Sequence, residues 1–160
     1  IYVGNKQDED ELENAINDLK EGKIVAIKGI GGIHLACDAN NKQAVLRLRK
    51  RKQREAKPFA IMAKDIQTAK ELVDTSSVEE SFLTSKERPI VLCKKKDPNS
   101  YIELSENKEL GIFLPYSPLH ILLLERCPVL VMTSANLSDT PVLIDNEDKT
   151  KRHCGLFPAA

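Results

Sequence analysis

Apolar residues fall at helical spacing over residues 8–21, where Leu12, Ala15, Ile16 and Leu19 share one face. Acids crowd the first turn, where they favour the helix dipole, and Gly22 supplies the stop. Residues 24–27, Ile-Val-Ala-Ile, form a short unbroken apolar run, the mark of a strand buried on both faces. A second helix starts near Asn41, capped by Asn40 or Asn41, with Ala44, Val45 and Leu48 turned inward. Residues 59–63 read as another buried strand. Asp65 caps a helix through Val73, and Ser77 with Glu80 reads as a capping box for a short helix through Leu83. Strands are expected at 90–93, 111–114 and 129–132. Ser117 as N-cap with Pro118 at the first helical position starts a helix over 119–125. Strands thus alternate with helices, and the expected class is α/β: a twisted open sheet, mixed parallel and antiparallel, flanked by helices.

The chain has 160 residues, 41% hydrophobic and 30% charged, with few aromatics and no Trp. That composition suits a soluble globular domain with an aliphatic core. A single domain over 1–148 is expected, with residues 149–160 as a divergent or end-of-chain tail. No apolar run approaches the roughly 20 residues of a membrane-spanning helix, so the expectation is a cytoplasmic protein with no membrane partner. The cysteines, Cys37, Cys93, Cys127 and Cys154, form no CxxC pair, and the three histidines lack metal-ligand spacing. No protein metal site is expected, and His34, His120 and His153 read as packing or surface residues.

Charge changes the picture locally. The chain carries 24 basic and 24 acidic residues, yet seven cations fall within Arg47 to Lys57: Arg47, Arg49, Lys50, Arg51, Lys52, Arg54 and Lys57. The first four read as outward faces of a helix whose C-terminal end favours cations. Lys52, Arg54 and Lys57 fall where the periodic pattern fades, ahead of the strand from Phe59, and are expected at the rim of a pocket. The run 94–100 reads as a solvated charged turn.

Three segments follow strands: the Gly-rich 28–34, then 115–118 and 133–136. In an open α/β sheet, ligands sit at strand ends. Backbone N–H groups and short polar side chains there can hold phosphate oxygens, with Lys and Arg supplying charge. A glycine-rich stretch after a strand is equally a plain tight turn, and Thr133, Ser134 and Asn136 equally cap one.

Several segments together resemble one family. They are 26–39 (AIKGIGGIHLACDA), 48–62 (LRKRKQREAKPFAIM), 88–92 (RPIVL), 114–120 (LPYSPLH) and 132–138 (MTSANLS). In this order they are similar to the YrdC-like domain of the hydrogenase maturation carbamoyltransferases HypF, within the YrdC/Sua5 family. The Lys-x-Arg pattern is Lys52 and Arg54, and the Ser-x-Asn pattern is Ser134 and Asn136. Ile33 and Asp139 depart from the family's usual aromatic and Gly.

The resemblance implies an open sheet around a positively charged central cavity. It also implies ATP-dependent formation of a carbamoyl-adenylate from carbamoyl phosphate or carbamate, with Mg²⁺ accompanying the nucleotide. Lys52 and Arg54 are then the catalytic candidates. Lys28, Lys57, Leu114, Pro115, Tyr116, Thr133, Ser134, Asn136 and Ser138 join them as ATP- or phosphate-binding candidates. A separate Kae1-like domain would pass the carbamoyl group to a HypE-type acceptor protein, leaving the activation half-reaction to this domain. Two alternatives stand beside it: threonylcarbamoyl-adenylate synthesis for tRNA modification, and a double-stranded RNA-binding module drawn by the basic cluster. The second lacks interleaved aromatics and a net positive charge.

Overall fold

A computed structural model describes residues 9–30, 32–53 and 57–135. In chain order the elements are α1 (Glu9–Lys20), β1 (Val25–Gly29), β2 (Gly32–Asp38), α2 (Lys42–Arg51), β3 (Ala60–Ala63), α3 (Ile66–Leu72), β4 (Val73–Asp74), α4 (Ser77–Thr84), β5 (Val91–Lys95), β6 (Glu109–Phe113), α5 (Pro118–Arg126) and β7 (Val129–Ser134). The strands form one mixed sheet in the order β1-β2-β7-β3-β6-β5-β4. β3 and β6 run parallel, and every other neighbouring pair is antiparallel.

Because strand side chains alternate between faces, the sheet has two apolar sides. One carries Ile33, Leu35 and Cys37 of β2 with Val129 and Val131 of β7, and packs α2 through Ala44, Val45 and Leu48. Ala69 of α3 and Leu83 of α4 join the same cluster. The other face carries Ala36 of β2 with Leu130 and Met132 of β7, and packs α1 through Ala15, Ile16 and Leu19 and α5 through Leu123 and Leu124.

Caps form where short polar side chains precede the apolar periods. Asn41, Asp65 and Ser117 each accept a backbone N–H of the helix they start. The capping box of α4 is Ser76 with Glu79, one residue earlier than the sequence suggests. Glu80 instead pairs with Lys70 at 2.8 Å.

Three further expectations are corrected. Residues 28–34 are not one loop: Gly29 pairs with Gly32, and β1–β2 is a hairpin. The glycine run hid β2. β1 is an edge strand, yet both its faces pack as expected, Val25 and Ile27 in one cluster and Ile24 and Ala26 against the other. Arg49 is no outward cation. Its guanidinium lies 4.8 Å from the Phe59 ring centre and donates to the carbonyls of Glu103, Leu104 and Lys57. Lys95 is not in a solvated turn. It ends β5, is 1% exposed, and donates to the Ser100 and Ser105 carbonyls at 2.8 and 2.7 Å. Burial lowers its pKa.

The aliphatic stem of Lys95 packs while its ammonium ties the 100–105 segment to the sheet. Lys95→Met keeps the packing but strips both carbonyls of their donor. Loss of about 2–4 kcal/mol of unfolding free energy is expected by denaturant titration. A loss under about 0.5 kcal/mol would show the ammonium to be dispensable.

Candidate functional site

The site is assembled at the carboxyl end of β7. Lys52 caps α2, and its backbone N–H still bonds the Leu48 carbonyl. Gln53 follows at φ 48°, the left-handed conformation that ends a helix. This stop holds Lys52 inward: it is 4% exposed, and its Nζ donates to the Ser134 carbonyl at 2.8 Å, across 82 residues of sequence. Lys52 of the Lys-x-Arg pattern and Ser134 of the Ser-x-Asn pattern therefore meet in space. Ala135 N–H donates to the Ile33 carbonyl at 2.8 Å, extending the β2–β7 ladder past Ser134.

Ser134 lies directly opposite His34 of β2, so the two side chains share a sheet face. That face is the one carrying Ala36 and Met132, against which α5 packs. His120 is in the first turn of α5 and is 0% exposed. Its ring stands edge-on to Tyr116 at 4.6 Å between centroids and edge-on to His34 at 6.5 Å. The structure thus links Lys52, Ser134, His34, His120 and Tyr116 in one continuous run.

Electrostatics divide this run in two. Burial, and secondarily the His34 charge, push His120 down to about 4. Burial also lowers His34 and raises the Tyr116 phenol. A helix N-terminus further disfavours an imidazolium in its first turn. Both imidazoles are neutral at pH 7, beside an ammonium held at the end of β7. Among the described residues the cysteines are poor nucleophiles: burial raises Cys37 to about 12 and Cys93 to about 11, and raises Cys127 as well.

The other candidates fall as follows. Lys28 is exposed near the end of β1, opposite Ile33. Lys57 is exposed just before β3. Thr133 is buried on the sheet face opposite Ser134's. Leu114 packs in the core cluster with α2, while Pro115 and Tyr116 are half-buried. Arg54, Asn136 and Ser138 lie outside the described residues, as does Cys154. Among the described residues no group of three His, Cys, Asp or Glu side chains comes together as metal ligands, and no helix is long and apolar enough to cross a membrane.

Sequence reasoning read His34 and His120 as packing or surface residues and did not bring them together beside Ser134. One signal was available: His120, Leu123 and Leu124 fall at helical i, i+3, i+4 spacing, which puts an imidazole on an apolar stripe.

The family model described as "Telomere recombination" (Sua5, YciO, YrdC) matches residues 17–155. The chain belongs to the Sua5/YciO/YrdC family. It is 41% identical to carbamoyltransferase HypF2 of Cupriavidus necator over 96% of its length and 21% of that protein's. It is 46% identical to carbamoyltransferase HypF of Rhodobacter capsulatus over 84% of its length and 18% of that protein's. The crystal structure of full-length HypF in the phosphate- and nucleotide-bound form aligns with TM-score 0.82 and 47% identity, covering 86% of this chain and 22% of that one. The chain thus spans about a fifth of the relatives it matches, in the region of their YrdC-like domain.

The buried imidazoles set a pH dependence of stability. A group whose folded pKa lies below its unfolded value gives stability that is present at neutral pH and lost on acidification. For His120 the window runs from 6.5 down to about 4. Asp65, Glu79, Glu80 and Glu103 are also held low, but from ordinary values of 3.8–4.5, so their losses come at lower pH. His120 should cost the chain about 2 kcal/mol between pH 7 and pH 5. His120→Phe should remove that part of the dependence in urea titrations at the two pH values. An undiminished fall in the variant would contradict it.

Proposed function

We propose that this domain activates a carbamoyl group at the expense of ATP, as one step of a larger carbamoyltransferase. The contact between the Lys52 ammonium and the Ser134 carbonyl carries the reading. It brings a buried cation to the strand end where the short polar residues of 133–136 begin, which is the arrangement a nucleotide phosphate requires. Kinship with HypF carbamoyltransferases, one of them solved with nucleotide and phosphate bound, supports the same chemistry.

In this reading carbamoyl phosphate is hydrolysed to carbamate and phosphate. A carbamate oxygen then forms a bond to the α-phosphorus of ATP. The bond from that phosphorus to the bridging oxygen breaks, and pyrophosphate leaves with the electron pair. Lys52 and Arg54 stabilise charge building on the phosphoryl oxygens. Lys28 and Lys57 add positive potential. Ser134, Asn136, Ser138 and Thr133 hold phosphate or ribose oxygens, and the 114–116 segment flanks the base through Tyr116. Mg²⁺ would accompany the nucleotide. A Kae1-like domain elsewhere in the larger protein would carry the group onward to a HypE-type acceptor.

The test is isotope exchange between ATP and pyrophosphate. Exchange should require carbamoyl phosphate and fall at least about 100-fold in a Lys52→Ala, Arg54→Ala double variant. Full exchange in that variant would refute the site. Exchange supported by threonine and bicarbonate in place of carbamoyl phosphate would move the domain to threonylcarbamoyl-adenylate synthesis. Binding of double-stranded RNA without binding of ATP, followed by calorimetry, would replace the enzyme with an RNA-binding module.

A further inference from the structure

His120 is fully enclosed, yet neither ring nitrogen has a hydrogen-bond partner among the described residues. The Nδ1 of His34 is in the same condition. These are three of the four enclosed side-chain nitrogen or oxygen atoms without a partner among the described residues. Enclosed polar groups are nearly always paired, because each one left alone costs about 1–3 kcal/mol. A leucine at position 120 would extend the stripe of Leu123 and Leu124 without that cost. Three such nitrogens in one cluster, beside Ser134 and Tyr116, have no partner among the described residues, and a bound ligand would supply one.

The chemistry of the cluster narrows that partner. A neutral imidazole presents one N–H donor and one bare nitrogen acceptor. Phosphate oxygens only accept and carry charge, so they are better served by Lys52 across the strand. A neutral donor-and-acceptor pair in an apolar wall suits an uncharged planar amide, with one carbonyl oxygen to accept and an amino group to donate. Within the reaction proposed above, one group has that character: the amide end of the carbamoyl moiety, an amino group on a carbonyl carbon.

We propose that His34 and His120 form the subsite for the carbamoyl amide, on the side of Ser134 away from Lys52. The inference rests on the carbamoyl-activating function and specifies how its acyl end is chosen. Tyr116 is half-buried and packs edge-on against His120, which places it at the border of the subsite. The two imidazoles supply the donor and the acceptor for the amide.

Two measurements on the chain test this. In the first, the protein is labelled with ¹⁵N-histidine and its ring nitrogens are followed by NMR. The signals of His34 and His120 should move on addition of carbamoyl phosphate and stay in place with ATP alone. In the second, ATP–pyrophosphate exchange is compared for His120→Phe, which keeps the ring volume, and His120→Asn, which keeps a donor and an acceptor. His120→Phe should raise the KM for carbamoyl phosphate about tenfold or more, with ATP affinity within about twofold of the unaltered chain, and His120→Asn should recover part of the loss. A residue that only packs would give the opposite order.

Unmoved ring signals in a chain that still exchanges would overturn the subsite and leave the enzyme standing, as would an unchanged KM in His120→Phe. A chain that shows no carbamoyl-dependent exchange sinks the enzyme reading instead. The ring signals then decide the subsite alone: movement with carbamoyl phosphate sustains it, and none overturns it.

Discussion

The contact between the Lys52 Nζ and the Ser134 carbonyl is the constraint on which the site depends. A lysine that is 4% exposed needs an acceptor, because an enclosed ammonium without one is strongly disfavoured. The carbonyl at the end of β7 supplies it at 2.8 Å. Satisfying that need fixes where α2 ends relative to the central strands. The left-handed Gln53 and the clamp of Arg49 on Phe59 and the 103–104 carbonyls hold the flanking chain in place. Lys52 and Arg49 of the cationic segment therefore serve the fold before they serve a ligand.

The sheet turns that anchored end into a two-sided site. Alternation along β7 puts Thr133 on the α2 side and Ser134 on the α5 side. An ammonium approaches the strand end from one helix layer, and neutral imidazoles line it from the other. The two sides of the strand end thus differ in charge. The antiparallel β2–β7 pairing makes this possible by setting His34 against Ser134. A shift of one residue in that register would move both side chains to opposite faces.

Much of the fold was legible in the sequence, because helices and caps announce themselves locally. The apolar faces of α1 and α2, the Asp65 and Ser117 caps, and strands β3, β6 and β7 all follow from period and capping chemistry. β2 did not, since its glycines at the start read as a loop and its alternation was masked by small residues in 36–39. β4 has only two residues and leaves no pattern. Lys95 and Arg49 were misplaced for one reason: the acceptors that bury them are carbonyls distant in the chain or hidden in a loop, and carbonyls have no sequence signature.

By itself the sequence determined the class of fold, the family to which the chain belongs, and the two segments that meet at Lys52 and Ser134. Those features rest on local periodicity and residue type, which a linear chain displays. The tertiary structure alone decided that these segments touch, that the glycine stretch is a hairpin, and that His34 and His120 stand together under Tyr116. Each of these depends on strand register and helix docking. They bring residues tens of positions apart into contact, and only the folded chain assigns an enclosed nitrogen its neighbours.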